Sequence, residues 1–199
     1  MPKTARFFAA AAFIAVSLMS IASSHAQILA PNAYQVNYYS NATRQDQQVR
    51  IVNTGQVGSP IDTASGHGNV CADIYVFDAN QEMIECCSCP ITANGMLTLS
   101  LQNQLVGNPL TGVPADTGVV KIVSDGATAG NACDPQSITA PVNAAFRAFG
   151  THAQAGAVTE TLFLPAPLTT QEANFLGLAC SFVNYLGSGR GVCSCSARP

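Results

Sequence analysis

The chain has 199 residues, 48% of them hydrophobic and only 10% charged, with 16 Gly, 11 Pro, 8 Cys and no Trp. That is too apolar and too poor in charge for a disordered segment. Eight basic residues against eleven acidic ones give a net charge of −3, so there is no positive surplus to neutralise a phosphate backbone and nucleic-acid binding is excluded.

Residues 1–26 read as a signal peptide. Lys3 and Arg6 precede an apolar stretch from Phe7 to Ala22, and Ser24 and Ala26 supply the small residues of a cleavage site. The mature chain is expected to begin at Gln27, to form one secreted domain over 27–199, and to keep no stable membrane insertion. Removal of the leader leaves six basic residues against eleven acidic ones, a net charge of −5 with Lys121 as the only lysine.

In chain order, Tyr34 to Tyr39 and Gln48 to Asn53 read as short strands. Gly55 to Asn69 is a Gly/Ser/Thr-rich loop carrying His67. Val70 to Phe77 and Glu82 to Cys87 form a hairpin about a turn near Ala79, with Pro90 expected to end the pairing. Met96 to Leu101 alternates with period two. Val119 to Val123, Val142 to Gly150 and Val158 to Leu164 complete about eight strands. One helix follows: Thr169 and Glu172 stand at capping-box spacing, Ala173, Leu176, Cys180 and Val183 recur at helical intervals, and Leu186-Gly187 closes it. Phe175, Ala179, Phe182 and Leu186 are expected to widen its buried face. The fold class is therefore mainly β: an antiparallel β-sandwich with one C-terminal helix, stapled by disulfides, with a closed barrel as the runner-up.

All eight cysteines lie in the exported part, at Cys71, Cys86, Cys87, Cys89, Cys133, Cys180, Cys193 and Cys195. An even count in an exported chain reads as disulfides. Cys86 and Cys87 point to opposite faces of a strand and must find separate partners, whereas Cys87 and Cys89 share a face, as do Cys193 and Cys195. A turn at Ala79 would set Cys71 opposite Cys87; the tail pair, sharing a face in an extended chain, could then lie beside Cys86 and Cys89, leaving Cys133 for Cys180. The competing reading is a thiolate site for Cu(I) or Zn(II) built from Cys86, Cys87, Cys89, Cys193 and Cys195.

The run Cys86-Cys87-Ser88-Cys89-Pro90 resembles the copper-binding segment of the mitochondrial copper chaperone for cytochrome oxidase, although the paired Cys-x9-Cys spacings of that family are missing. Taken with Gly189-Arg190-Gly191-Val192-Cys193-Ser194-Cys195, the pattern resembles secreted bacterial Cys-rich proteins of the same length and cysteine layout, to which no activity attaches. That resemblance implies an exported, disulfide-bonded domain.

No motif for a nucleophile elbow, zinc protease, nucleotide loop or calcium loop is present, so no catalytic residue and no cofactor are assigned. His67 is the candidate base of a secreted hydrolase, the third functional alternative. His152 reads as a hydrogen-bonded surface residue, and Glu82, Glu85 and Glu160 as solvent-facing carboxylates. Lys121 reads as an edge-strand lysine or, less simply, an isopeptide donor, and Asn41-Ala42-Thr43 matches a glycosylation sequon. The leading functional expectation is a non-catalytic structural or binding protein of the cell surface or extracellular matrix, with self-assembly, envelope components or glycans as partners.

Overall fold

The computed structural model describes residues 27–41, 47–57, 68–126, 132–154 and 156–195. The signal-peptide reading, His67 and two of the three sequon residues lie outside the described residues. Among the described residues nine strands form two antiparallel sheets: β1 (Ile28–Ser40), β2 (Gln48–Asn53), β3 (Val70–Asp78), β4 (Met83–Ile91), β5 (Met96–Ser100), β6 (Thr117–Gly126), β7 (Phe146–Gln154), β8 (Ala157–Leu162) and β9 (Leu164–Thr169). One sheet runs β4-β3-β6-β1-β9 and the other β5-β2-β7-β8. A five-residue π-helical turn, Leu101–Leu105, follows β5, and the helix α1 (Thr170–Tyr185) follows β9.

The two sheets enclose one apolar layer. Val76, Ile74, Val120 and Ile122 of the first sheet meet Val49, Ile51, Leu99 and Phe146 of the second. The Gln35 side chain spans the layer, donating to Phe146 O (2.8 Å) and accepting from Ala148 N (3.2 Å), so both ends of a buried amide are satisfied. The outer face of the first sheet is covered as well. Tyr75, Phe77 and Val123 pack there against Leu176, Cys180 and Val183 of α1. Cover on both faces explains why β3 reads as a continuous apolar run instead of an alternating one.

The sandwich with its single C-terminal helix is as expected. Thr169 caps α1 by accepting from Glu172 N (3.1 Å), and Gly187 past its end adopts φ +61°. Three strand readings need correction. Pro90 does not end β4 but pairs with Cys71 within it, which an edge strand tolerates because one side of its backbone has no sheet neighbour. The stretch Val158 to Leu164 is two strands in different sheets. Phe163, only 2% exposed, drops into the core between them and passes the chain from one sheet to the other. Its continuation, Leu164-Pro165-Ala166-Pro167-Leu168-Thr169, is concealed by two prolines and survives as β9 because it too is an edge.

Candidate functional site

The geometry of β4 organises the cysteine-rich region. Its inner face carries Cys87 and Cys89 opposite Ile74 and Ala72, and its outer face carries Cys86 and Ser88 opposite Tyr75 and Asp73. The C-terminal tail lies along its free edge. Cys86 N donates to Gly191 O (2.8 Å), and Cys86 pairs with Val192 in a parallel bridge. Cys193 and Cys195 therefore stand beside Cys87 and Cys89, and both pairs are disulfide-bonded at Cα separations of 5.3 Å. Cys86, on the opposite face, is bonded to Cys180 of α1 (Cα–Cα 5.7 Å), and Cys71 to Cys133 (5.6 Å). None of the eight cysteines is free.

The opposite-face argument for Cys86 and Cys87 thus holds, as does the shared face of each Cys-x-Cys. The expected pairings Cys71–Cys87 and Cys133–Cys180 do not form. The hairpin turns nearer Asn80 than Ala79 and carries an irregularity between Val76 and Phe77, which moves Pro90 opposite Cys71 and turns Cys71 to the face away from Cys87. Of the tail pairings, Cys195 reaches Cys89, but Cys193 reaches Cys87 instead of Cys86 because Cys86 faces α1.

Beneath the tail lies a cavity of about 240 Å³, lined among others by Glu85, Gln102, Asn103, Val106, Arg190 and Cys193. Gln104 closes one side: its Nε2 donates to Ser194 O (3.0 Å) while its Oε1 accepts from Ser100 N (2.8 Å). Arg190 closes another, donating through Nη1 to Gly112 O (3.0 Å). Glu85 is not solvent-facing, as its position beside a hairpin suggested, but 3% exposed on the inner side of β4. Burial pushes its carboxyl up to about 8, opposed in part by the Gly107 backbone N–H that donates to it. The carboxyl packs closely on Gly107, where a Cβ would approach Glu85 Oε2 to 2.9 Å. A carboxyl protonated at neutral pH can donate a hydrogen bond as well as accept one, so Glu85 is a neutral polar group of the cavity while the Arg190 guanidinium supplies its fixed charge.

A second buried acid sits on the outer face of the same sheet. Asp73 is fully buried and accepts from the Ser88 hydroxyl through Oδ1, while Oδ2 meets no hydrogen-bond donor among the described residues. Burial holds its carboxyl well above the usual carboxylate range, with Asp125 and Asp134 nearby adding to the effect. Asp125 by contrast accepts backbone N–H groups from Gly126, Thr139 and Ala140 at 2.7–3.1 Å.

The other candidates are positioned as structural groups. His152 is no surface residue: it is 4% exposed within β7, stacked on Tyr38 at 4.5 Å, with Nε2 2.8 Å from the Thr161 hydroxyl, and burial lowers its pKa. Lys121 lies on β6, an interior strand of its sheet and not an edge, where Nζ meets Glu172 Oε1 at 2.6 Å. Glu160 pairs with Arg50 at 2.8 Å on the surface, as expected of a solvent-facing carboxylate. Among the described residues no three His, Cys, Asp or Glu side chains are grouped to hold a metal ion, and no helix is long and apolar enough to cross a membrane. Comparison with known proteins finds no matching family model, no matching curated protein and no matching solved structure.

Proposed function

We propose that the protein is a secreted, non-catalytic binding or structural module of the cell surface or extracellular matrix. One observation carries the reading: all eight cysteines are taken up in cross-links that fasten the tail, α1 and Cys133 to a single hairpin. Such a framework belongs to an oxidising compartment, and it holds the cavity wall rigid. The cavity, lined by the amide side chains of Gln102, Asn103 and Gln104, a buried carboxyl and the Arg190 guanidinium, suits a hydroxyl-bearing group such as a sugar ring. A thiolate metal centre at Cys86, Cys87, Cys89, Cys193 and Cys195 would require reduction of three of the four bridges.

The test is the intact mass of the exported chain before and after reduction and alkylation, with metal content read from the same sample, followed by binding to glycans and envelope fractions. Four intact bridges, no stoichiometric metal and binding weakened by Gln102→Ala are expected. Free thiols carrying copper or zinc, or failure to bind glycans, envelope or itself, would overturn the reading.

A further inference from the structure

α1 has two apolar faces, and only one is covered. Ala173, Leu176, Cys180 and Val183 are buried against the first sheet. On the opposite side Phe175, Leu178, Phe182 and Tyr185 are exposed by 46, 73, 55 and 87%. Phe182, expected to widen the buried face, belongs instead to this outer row, whereas Phe175 is shared between the two, half-exposed yet stacked on Phe77 of the first sheet with ring centroids 6.0 Å apart. The spacing of the row is three, four and three residues, that of heptad a and d positions. Such a seam is narrower than the face a helix lays on a sheet and is suited to packing against another helix.

Charge and area both bear on what covers it. The only charged side chain of α1, Glu172, turns away to Lys121 and Tyr34 (2.6 and 3.1 Å), so the outer row is uncharged on a chain whose exported part carries a net −5. Two copies meeting here would bring together the surfaces with least mutual repulsion. With 150–250 Å² for each aromatic side chain, the four exposed residues present roughly 500 Å² of apolar surface. This is the apolar centre of a contact that needs about 800 Å² per partner, and it lies toward the upper end of patches found on monomers, about 300–600 Å².

We propose that α1 is the contact surface of a two-fold symmetric dimer, with α1 of a second copy lying antiparallel along the seam. The row is palindromic about position 180: an axis level with Cys180 sets Leu178 against Phe182 of the second copy and, at the same time, Phe175 against its Tyr185. α1 is also the only α-helix among the described residues, so the seam finds its helical complement in an identical chain. This inference rests on the reading above that the protein acts by binding or assembly and names one partner for it.

Sedimentation equilibrium of the exported chain with its bridges intact tests the proposal. The wild type is expected to reach twice the monomer mass in the micromolar range. Leu178→Glu and Phe182→Lys, both at exposed positions, are each expected to weaken association about tenfold or more with an unchanged circular dichroism spectrum. Mixing these two variants is expected to restore the dimer mass, since the antiparallel pairing sets the new carboxylate against the new ammonium. A wild type that stays monomeric, an association indifferent to Leu178→Glu, or a mixture that stays monomeric would overturn the proposal. So would a solution monomer that binds phosphatidylcholine vesicles through this row, which assigns it to a lipid surface. A monomer that still captures glycans or envelope fractions overturns the dimer and leaves the functional reading intact.

Discussion

The backbone N–H of Cys86 donates to the carbonyl of Gly191 at 2.8 Å, and this one bond aligns the tail so that Cys193 falls beside Cys87 and Cys195 beside Cys89. Each bridge closes a loop of 106 residues in sequence. The tail therefore joins the open edge of β4 at a single bridge between Cys86 and Val192, covering backbone groups there that would otherwise be free to pair with another chain.

Removing one of these bridges releases a long loop in the unfolded chain. The double substitution Cys87→Ser with Cys193→Ser is expected to cost about 2–5 kcal/mol. Urea titration of the variant, with its remaining bridges verified by mass, measures the loss.

Gly191 holds φ +81°, and a Cβ there would lie 2.7 Å from Val183 Cγ1 and 3.1 Å from Ile84 O. Gly191→Ala is therefore expected to lift the tail from β4 and to destabilise by about 1–3 kcal/mol. Faster hydrogen exchange at the Cys86 amide, relative to the amides of β6, is the diagnostic readout.

Glu85 makes stability fall with rising pH. Its folded pKa, about 8, exceeds the ordinary 4.5, so the contribution is complete below 4.5 and is lost as pH rises from there through about 8. The slope over that window is at most about 1.4 kcal/mol per pH unit. Asp73, also raised by burial, acts in the same direction. Glu85→Gln is expected to flatten the profile, as denaturant titrations from pH 5 to pH 9 would reveal.

His152 acts with the opposite sign. Burial lowers its pKa below 6.5, so the unfolded chain takes up the proton first and the contribution, present above 6.5, is lost as pH falls from there through the lower folded value. His152→Phe keeps the stacking surface for Tyr38 and removes the titrating group, so in a Glu85→Gln background it is expected to reduce the loss of stability just below pH 6.5, read by denaturant titrations from pH 7 to pH 5.

The ion pair of Lys121 and Glu172 ties β6 to the start of α1, with side-chain exposures of 21 and 28%. Lys121→Met and Glu172→Gln are each expected to cost about 1 kcal/mol, and the double variant less than the sum of the two. A double-mutant cycle by thermal or urea unfolding measures the coupling.

Export, the mainly β fold and the cap of α1 could be proposed from local sequence, because leader composition, two-residue alternation and capping-box spacing are properties of neighbouring residues. The opposite faces of Cys86 and Cys87 follow from the same short range. Edge strands were harder to read: β9 and the end of β4 contain prolines that signal a break unless it is known that one side of the strand has no sheet neighbour. The disulfide partners were beyond reach, since a hairpin turn displaced from Ala79 and one irregularity in β3–β4 change which cysteine stands opposite which.

The buried state of Glu85 and the exposed row on α1 belong to tertiary structure alone. Glu85 and Glu160 both lie in strands, but Glu85 is covered by a tail more than a hundred residues away while Glu160 reaches Arg50 on the surface. Leu178 and Phe182 carry the same apolar signal as Leu176 and Val183, and only the position of the sheet beneath α1 decides which row is covered. Sequence thus determined which segments bury apolar surface and cross-link, through the chemistry of adjacent side chains. Which groups are shielded from water, and with what partner, was decided by contacts between segments distant in the chain.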